Sequence, residues 1–172
     1  PIRSSMLEWF SQHGAAMRAR LFPLALAASL LTACSTGPVK RVSPPQVSVE
    51  QLSVQADGQW QVDLRLQNFS SMAMRFEGLE LELRSGDEVL ARLHSKPDLN
   101  VGAESADIHP IGVQPTATGR LLAAGALADA SALPYQLSGK LQASPVDGRS
   151  REYPITFRSS LHPAPGLSGV LR

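Results

Sequence analysis

WQVDLRLQN, residues 60–68, is the stretch that decides the fold. Its even positions from Trp60 to Leu66 are apolar, and its odd positions are amides or charged side chains. Alternation of this kind predicts a β-strand, because successive side chains of a strand point to opposite faces. One apolar and one polar face are typical of an antiparallel sheet that covers a core on one side. The phase of Trp60 predicts that its indole belongs to this core rather than to a ligand-stacking surface.

Segments on both sides of this stretch repeat the alternation. Val47 and Val49 alternate with polar residues, but Leu52 and Val54 resume one step out of phase, and a similar change occurs at Gly78. Such phase changes predict β-bulges. About seven strands with regularly spaced turns predict an antiparallel β-sandwich. The strand segments are residues 46–54, 60–68, 74–83, 88–94, 106–113, 133–143 and 152–159.

Residues 118–132 interrupt the strand pattern. They are rich in alanine and leucine, with leucines at helical spacing, and Thr118 is a suitable N-cap. We expect one short helix or an ordered crossover loop there. Strands do not otherwise alternate with helices, which argues against a parallel nucleotide-binding sheet. The predicted fold class is therefore all-β.

An N-terminal stretch, MRARLFPLALAASLLTAC at residues 17–34, predicts export. Arg18 and Arg20 are followed by eleven uncharged residues, 21–31. At about 1.5 Å per helical residue, this run covers roughly half of a bilayer's hydrocarbon core. It is too short to span a membrane and suits a signal peptide. Its end resembles a bacterial lipobox: Leu31, Thr32, Ala33 and Cys34.

The lipobox resemblance implies that the Cys34 thiol receives a diacylglycerol and becomes the new N-terminus after cleavage. Cys34 is the one cysteine of the chain. Two or more acyl chains, at about 0.8 kcal/mol per buried CH₂, attach a protein stably to a membrane. The alternative is a buried apolar cysteine that follows an ordinary signal peptide. Ser35, rather than Asp, resembles the default sorting route to the outer membrane, facing the periplasm.

These features divide the chain into segments. Residues 1–16 fit an over-extended translation start, with Met17 favoured over Met6 as the initiator. Residues 35–45 hold three prolines, which predicts a short tether. The expected segments are 1–16 as non-structural, 17–33 as lipoprotein signal peptide, 34–45 as acylated cysteine and flexible tether, 46–160 as β-sandwich, and 161–172 as flexible tail.

Composition excludes several classes of function. The formal net charge is +1, from 16 basic and 15 acidic residues. Three arginines and one glutamate precede Cys34, so the chain from Cys34 onward holds 13 basic and 14 acidic residues. Without a positive excess, and with 5% aromatics, nucleic-acid binding is not predicted. One cysteine excludes an intrachain disulfide and a cysteine-based zinc cluster. The four histidines show no ligand spacing, so no metal or other cofactor is predicted.

Two groups of residues invite a chemical interpretation. Ser105, Asp107 and His109 would share one face of a strand. A catalytic triad, however, is assembled in space, so we expect a polar, solvent-facing row and no catalytic residue. The second group could bind calcium or magnesium, but a solvated face with cross-strand arginine pairs explains it more simply. It comprises Glu77, Glu80, Glu82, Asp87 and Glu88, near Arg65, Arg75, Arg84 and Arg92.

The order of strands resembles the late-embryogenesis-abundant (LEA) type 2 family, whose domain is also called WHy. The matching segments are 47–54, 60–66, 76–83 with 89–93, and 135–141 with 153–157. Of the family's Asn-Pro-Asn after the second strand, Asn68 matches and the proline is absent here. The resemblance covers most of residues 46–160. It implies a fibronectin-III-like or immunoglobulin-like sandwich, an association with desiccation tolerance, and no catalytic residues; bacterial members are commonly lipoproteins.

We therefore expect a membrane-anchored, non-enzymatic periplasmic lipoprotein that protects or binds clients under stress. Its expected partners are the membrane, through the lipid on Cys34, and a protein of the envelope; no small-molecule substrate is evident. The alternative is an adaptor or assembly subunit for one envelope complex. An exposed apolar patch on the order of several hundred Å² would favour the adaptor. A hydrolase would need a pocket with converging histidine and carboxylate groups.

Overall fold

The structure is a computed structural model and describes residues 40–172. The predicted signal peptide, the lipobox with Cys34, and Ser35 lie outside the described residues. The described residues form nine strands and one helix: β1 (Gln46–Val54), β2 (Trp60–Gln67), β3 (Met74–Ser85), β4 (Glu88–Ser95), β5 (Leu99–Val101), β6 (Ala106–Val113), α1 (Ala117–Ala128), β7 (Leu133–Pro145), β8 (Arg151–Leu161) and β9 (Val170–Leu171).

The strands form two antiparallel sheets. One sheet has the order β6-β2-β1-β9, and the other has the order β4-β3-β7-β8, with β5 paired to β3. Apolar side chains of both sheets share one core, in which Trp60 is 1% exposed. A hydrogen bond also joins the sheets: the backbone N–H of Val49 donates to the Tyr135 hydroxyl over 3.1 Å. The predicted all-β sandwich and the core position of Trp60 are confirmed.

Bulges occur where the apolar phase changes. The β1–β2 register shifts between Val49 and Gln51, and the β3–β7 register shifts between Phe76 and Gly78. Both predicted bulges are therefore confirmed. A third shift, between β3 and β4, lets the consecutive residues Leu90 and Ala91 both be buried.

Helix α1 carries the chain from β6 in one sheet to β7 in the other and packs against β4. Its N-cap is Thr116, whose hydroxyl accepts from the Gly119 N–H over 2.9 Å and donates to the Val89 carbonyl over 2.7 Å. The prediction of Thr118 as N-cap is wrong by two residues. Thr116 holds the position because its hydroxyl also bonds to β4.

The prediction of a flexible tail over residues 161–172 is wrong. Leu161 is buried, and Leu171 is fully buried opposite Leu52 of β1. His162 and Arg172 exchange two backbone hydrogen bonds of 2.6 and 2.8 Å, which folds the segment back on itself. An apolar residue at its far end therefore returns this segment to the core, despite its prolines and glycines.

The described part of the predicted tether, residues 40–45, is also ordered against the domain. The backbone N–H of Arg41 donates to the Ser71 hydroxyl over 2.8 Å, and that of Ser43 donates to the Ser70 hydroxyl over 3.0 Å. Pro45 is buried. The expectation of a flexible tether therefore does not hold for residues 40–45, because the loop between β2 and β3 offers them hydroxyl partners.

Candidate functional site

The predicted modification site does not belong to the described part of the chain. Cys34, the lipobox residues Leu31, Thr32 and Ala33, and the sorting residue Ser35 all precede Lys40, the first described residue. The structure describes the domain that such an anchor would carry, and it shows where the chain enters that domain.

His109 does not form a triad with its sequence neighbours. Its Nε2 lies 2.8 Å from the Ser95 hydroxyl, so the pair joins β6 of one sheet to β4 of the other. Asp107 accepts instead from the backbone N–H of Ile108 over 2.8 Å. An imidazole without a carboxylate to orient it lacks the arrangement that activates a serine.

The expectation that His109 lies in a solvent-facing row is wrong. His109 is paired with Leu64, so both side chains lie on the core-facing side of the sheet. Burial lowers the pKa of His109, because desolvation disfavours the charged imidazolium. Sequence periodicity places 105, 107 and 109 on one face, but it does not say which face. β6 is an edge strand, a position that tolerates Pro110, and inward polar groups at an edge can meet the facing sheet.

A groove of about 360 Å³ lies on the outer face of the sheet that contains β3. The strand register places Glu80 between His94 of β4 and Lys140 of β7. The bulge at Gly78 contributes to the depth, since glycine has no side chain to fill it. The lining residues are Gly78, Leu79, Glu80, His94, Ser95, Lys96, Lys140, Gln142 and Glu152.

Charges in this groove are mixed. Lys140 Nζ lies 3.0 Å from Glu152 Oε1, and this hydrogen bond raises the pKa of Lys140. Both side chains are more than half exposed, and exposed pairs of this kind add little to stability. Ser95 also lines the groove, but its hydroxyl is engaged by His109 of the facing sheet. Because acidic and basic groups alternate across the groove, it has no dominant sign of charge with which to select an ion.

The acidic residues for which a cation site was the less simple interpretation bond to separate partners. Glu77 accepts from the hydroxyls of Ser144 and Ser150 over 2.7 and 2.5 Å, and these bonds lower its pKa. Glu82 instead pairs with Arg84 at 2.6 Å and, across the strands, with Arg92 at 3.3 Å. Within residues 40–172, no group of three or more His, Cys, Asp or Glu side chains is placed to hold a metal ion.

Asn68 organises the loop that receives the incoming chain. Its side chain is fully buried, and its amide nitrogen lies within 2.8–3.2 Å of the carbonyls of Met72, Val101 and Gly102. Its amide oxygen accepts from the Ser70 N–H over 2.8 Å. The sequence identified Asn68 as a family match, but its structural role depends on contacts with β5 that the strand pattern does not reveal.

Large exposed apolar side chains lie at both ends of the sandwich. We call one end the tether end; it exposes Val42, Phe69 and Val146, at 40%, 44% and 61%. We call the other the helix end; it exposes Val54, Leu121 and Leu167, at 37%, 73% and 51%. Of the leucines in α1, Leu121 is thus exposed, whereas Leu122 and Leu127 pack against the core.

Among residues 40–172, no helix is long and apolar enough to cross a membrane.

Comparisons with known proteins give structural similarities alone. No family model matches the chain, and no curated protein matches it. A solution structure named as a candidate LEA protein is 14% identical, covers 94% of this chain and 92% of its own, and has a TM-score of 0.40. A protein from Arabidopsis thaliana is 16% identical, with coverages of 74% and 83% and a TM-score of 0.43. A candidate ApaA protein from Bordetella pertussis is 17% identical, with coverages of 76% and 100% and a TM-score of 0.44.

Proposed function

We propose that this chain is a non-enzymatic lipoprotein of the bacterial envelope whose β-sandwich, of the LEA type 2 kind, protects or binds clients during water stress. The observation that carries the proposal is the position of Cys34. It is the sole cysteine, and it stands at the end of an uncharged run that two arginines precede. A thiol at this position is what lipid attachment requires, and the domain supplies no competing thiol.

A non-enzymatic role is supported by the structural partners of His109, Asp107 and Glu152, although the groove also places Glu80 beside His94. His109 bonds to Ser95, and Asp107 bonds to its neighbouring backbone. Glu152 in the outer groove is paired with Lys140. Each group therefore has a structural partner, and none of these pairs combines a nucleophile, a base and a group that orients the base.

The lipid anchor is tested by replacing the thiol. Cys34→Ala should abolish incorporation of labelled palmitate and release the domain from the outer-membrane fraction. Ser35→Asp is the matched control, since it keeps the thiol. That variant should still incorporate palmitate but collect in the inner membrane. Equal palmitate labelling of Cys34→Ala and the parent chain would contradict the anchor.

The protective role is tested by survival of drying. A strain without the protein should survive drying less well than its parent, and the acylated protein should restore survival. Restoration by Cys34→Ala to the same level would show that the domain protects without its anchor. Unchanged survival of the deletion strain would contradict the protective role.

The adaptor function is the second candidate, and Leu121 of α1, which is 73% exposed, is the position at which to test it. Crosslinking in intact envelopes should then capture one stoichiometric partner, and Leu121→Ser should lose it. Leu167→Ser removes a second exposed leucine from the helix end and serves as the comparison. A diffuse set of weak clients, unaffected by Leu121→Ser, would favour general protection.

A further inference from the structure

Between β2 and β3, the loop inverts the usual distribution of polar and apolar side chains. Asn68 and Ser70 are fully buried, whereas Phe69 between them is 44% exposed. The inversion is fixed by hydrogen bonds, since Asn68 bonds to the loop and to β5, and the Ser70 hydroxyl accepts from the Ser43 N–H. A single exposed apolar side chain is common on protein surfaces, so the exposure of Phe69 is informative only together with the apolar residues beside it.

Two further exposed apolar residues lie beside this loop. Val42 belongs to the incoming segment that hydrogen-bonds to Ser70 and Ser71. Val146 donates its backbone N–H to the carbonyl of Ala73, where the loop ends, over 3.3 Å. These contacts bring apolar side chains from three separate parts of the sequence to the tether end.

The length of chain before the tether end limits its distance from the lipid. Six residues of chain lead from Cys34 to Lys40. At no more than about 3.6 Å per residue, the two α-carbons are within roughly 22 Å of each other. If Cys34 is acylated, the tether end is therefore held close to the bilayer surface. That proximity raises the effective concentration of lipid at Phe69 without any new affinity.

The distribution of charged residues also favours the tether end, rather than the helix end, as the end that faces the bilayer. The tether end presents Lys40, Arg41 and Arg149, against Glu104 and Asp147, all exposed. The turns and chain end near the helix end present Asp57, Asp87, Glu88 and Asp129, against Arg120 and Arg172. An anionic membrane surface attracts basic residues and repels carboxylates. Both ends expose apolar residues, but the tether end combines them with the entry point of the chain and with one net positive charge among these five residues, of which Arg41 lies 3.6 Å from Glu104.

We infer that the tether end rests on the lipid bilayer, with Phe69 and Val146 in the interfacial region and the helix end directed away from it. The inference depends on the proposed lipid anchor and adds a second contact to it. The lipid fixes the domain to the membrane, and the tether end fixes its orientation. Leu121 at the helix end then stays accessible to proteins.

The test uses the full acylated chain in vesicles of equal parts phosphatidylcholine and phosphatidylglycerol. Phe69→Cys and Leu121→Cys each receive an environment-sensitive fluorophore, and both positions are exposed, so the fold should be kept. The fluorophore at 69 should emit further to the blue when the vesicles are added, because its surroundings become apolar, and lipids with a spin label on the acyl chain should quench it. The fluorophore at 121 should show neither change, and Val146→Cys should behave like Phe69→Cys.

Equal quenching at positions 69 and 121, or none at 69, would overturn the inference. Failure of the anchor itself has a different signature. An acylated Cys34 accepts no thiol label, so labelling of the parent chain, or failure of the protein to float with the vesicles, would count against the lipid anchor. A fluorophore at 69 that is unquenched in vesicles, but shielded from a water-soluble quencher in intact envelopes, would indicate that the tether end contacts a protein instead of the bilayer.

Discussion

At the scale of single residues, Asn68 connects the loop between β2 and β3 to β5. Its amide nitrogen donates to carbonyls of the β2–β3 loop and of β5, and its amide oxygen accepts from the Ser70 N–H. Ser70 in turn receives the incoming chain through Ser43. A buried amide with all its groups bonded specifies one loop conformation, because any other leaves a polar group unpaired in the core.

Replacing Asn68 should therefore destabilise the domain strongly. We expect Asn68→Ala to lower the free energy of unfolding by about 2–4 kcal/mol, since it leaves buried backbone groups without partners. Gln67→Ala is the control: its side chain makes an exposed bond to the Ser105 carbonyl, so the cost should stay within about 1 kcal/mol. Urea unfolding measures both. Equal losses for the two variants would contradict the role assigned to Asn68.

His109 should make stability depend on pH. Burial lowers its pKa below the ordinary value of 6.5, so the unfolded chain binds a proton more readily than the folded one. The contribution of neutral His109 to the free energy of unfolding is therefore fully present above pH 6.5. It is lost as the pH falls from 6.5 through the pKa of His109 in the folded protein. His109→Gln should flatten this part of the curve of unfolding free energy against pH, because an amide does not titrate. The fold should be kept, since the amide can still bond to the Ser95 hydroxyl.

The control for His109→Gln is the parent chain, whose unfolding free energy is measured at pH values on either side of 6.5. A curve for His109→Gln that is superimposable on the parent curve would show that His109 does not titrate differently in the folded state.

At the scale of elements, α1 contains two glycines with opposite expected effects. A Cβ at Gly119 would lie 2.5 Å from the Leu90 carbonyl oxygen, whereas a Cβ at Gly125 would meet nothing within 4 Å. Gly119 thus allows α1 to lie against the backbone of β4, whose bulge places Leu90 there. No close contact requires a glycine at position 125, so Gly125 only destabilises the helix through its larger loss of conformational entropy on folding.

We predict that Gly119→Ala destabilises the domain by about 1–3 kcal/mol through overpacking. Gly125→Ala should stabilise it by about 0.5–1 kcal/mol, because alanine favours the helix. Thermal unfolding of the two single variants measures both signs in one helix. A stable Gly119→Ala protein would mean that α1 can move away from β4 at little cost.

Elements with a clear period were predictable from the sequence, and those without one were not. Alternation located β2, and phase changes located the bulges near Glu50 and Gly78. The two-residue strand β9 is too short to show alternation, and β5 follows a proline-containing loop. Thr116 and Thr118 are equivalent N-caps by residue type, and only the bond to Val89 distinguishes them. The His109–Ser95 pair required the packing of two sheets, which no local pattern encodes.

At the scale of the whole molecule, the C-terminal segment connects one sheet to the other. The chain leaves β8 in one sheet, turns back between His162 and Arg172, and adds β9 beside β1 in the other sheet. Leu171 enters the common core at the end of this path and is fully buried. The segment thus covers the part of the β1 edge at Leu52 and Ser53.

Leu171 should therefore matter to stability far more than its place near the end of the sequence suggests. We expect Leu171→Ala to cost about 2–4 kcal/mol, through lost burial and the cavity left behind. Leu167→Ala, in the same segment but 51% exposed, should change stability by no more than about 0.5 kcal/mol. Urea unfolding of the two variants tests the contribution of burial, because both replace a leucine of the same segment by alanine and only Leu171 is buried. If Leu171→Ala unfolds at the same urea concentration as Leu167→Ala, β9 does not contribute to the core. The prediction of a flexible tail from the prolines and glycines would then be correct.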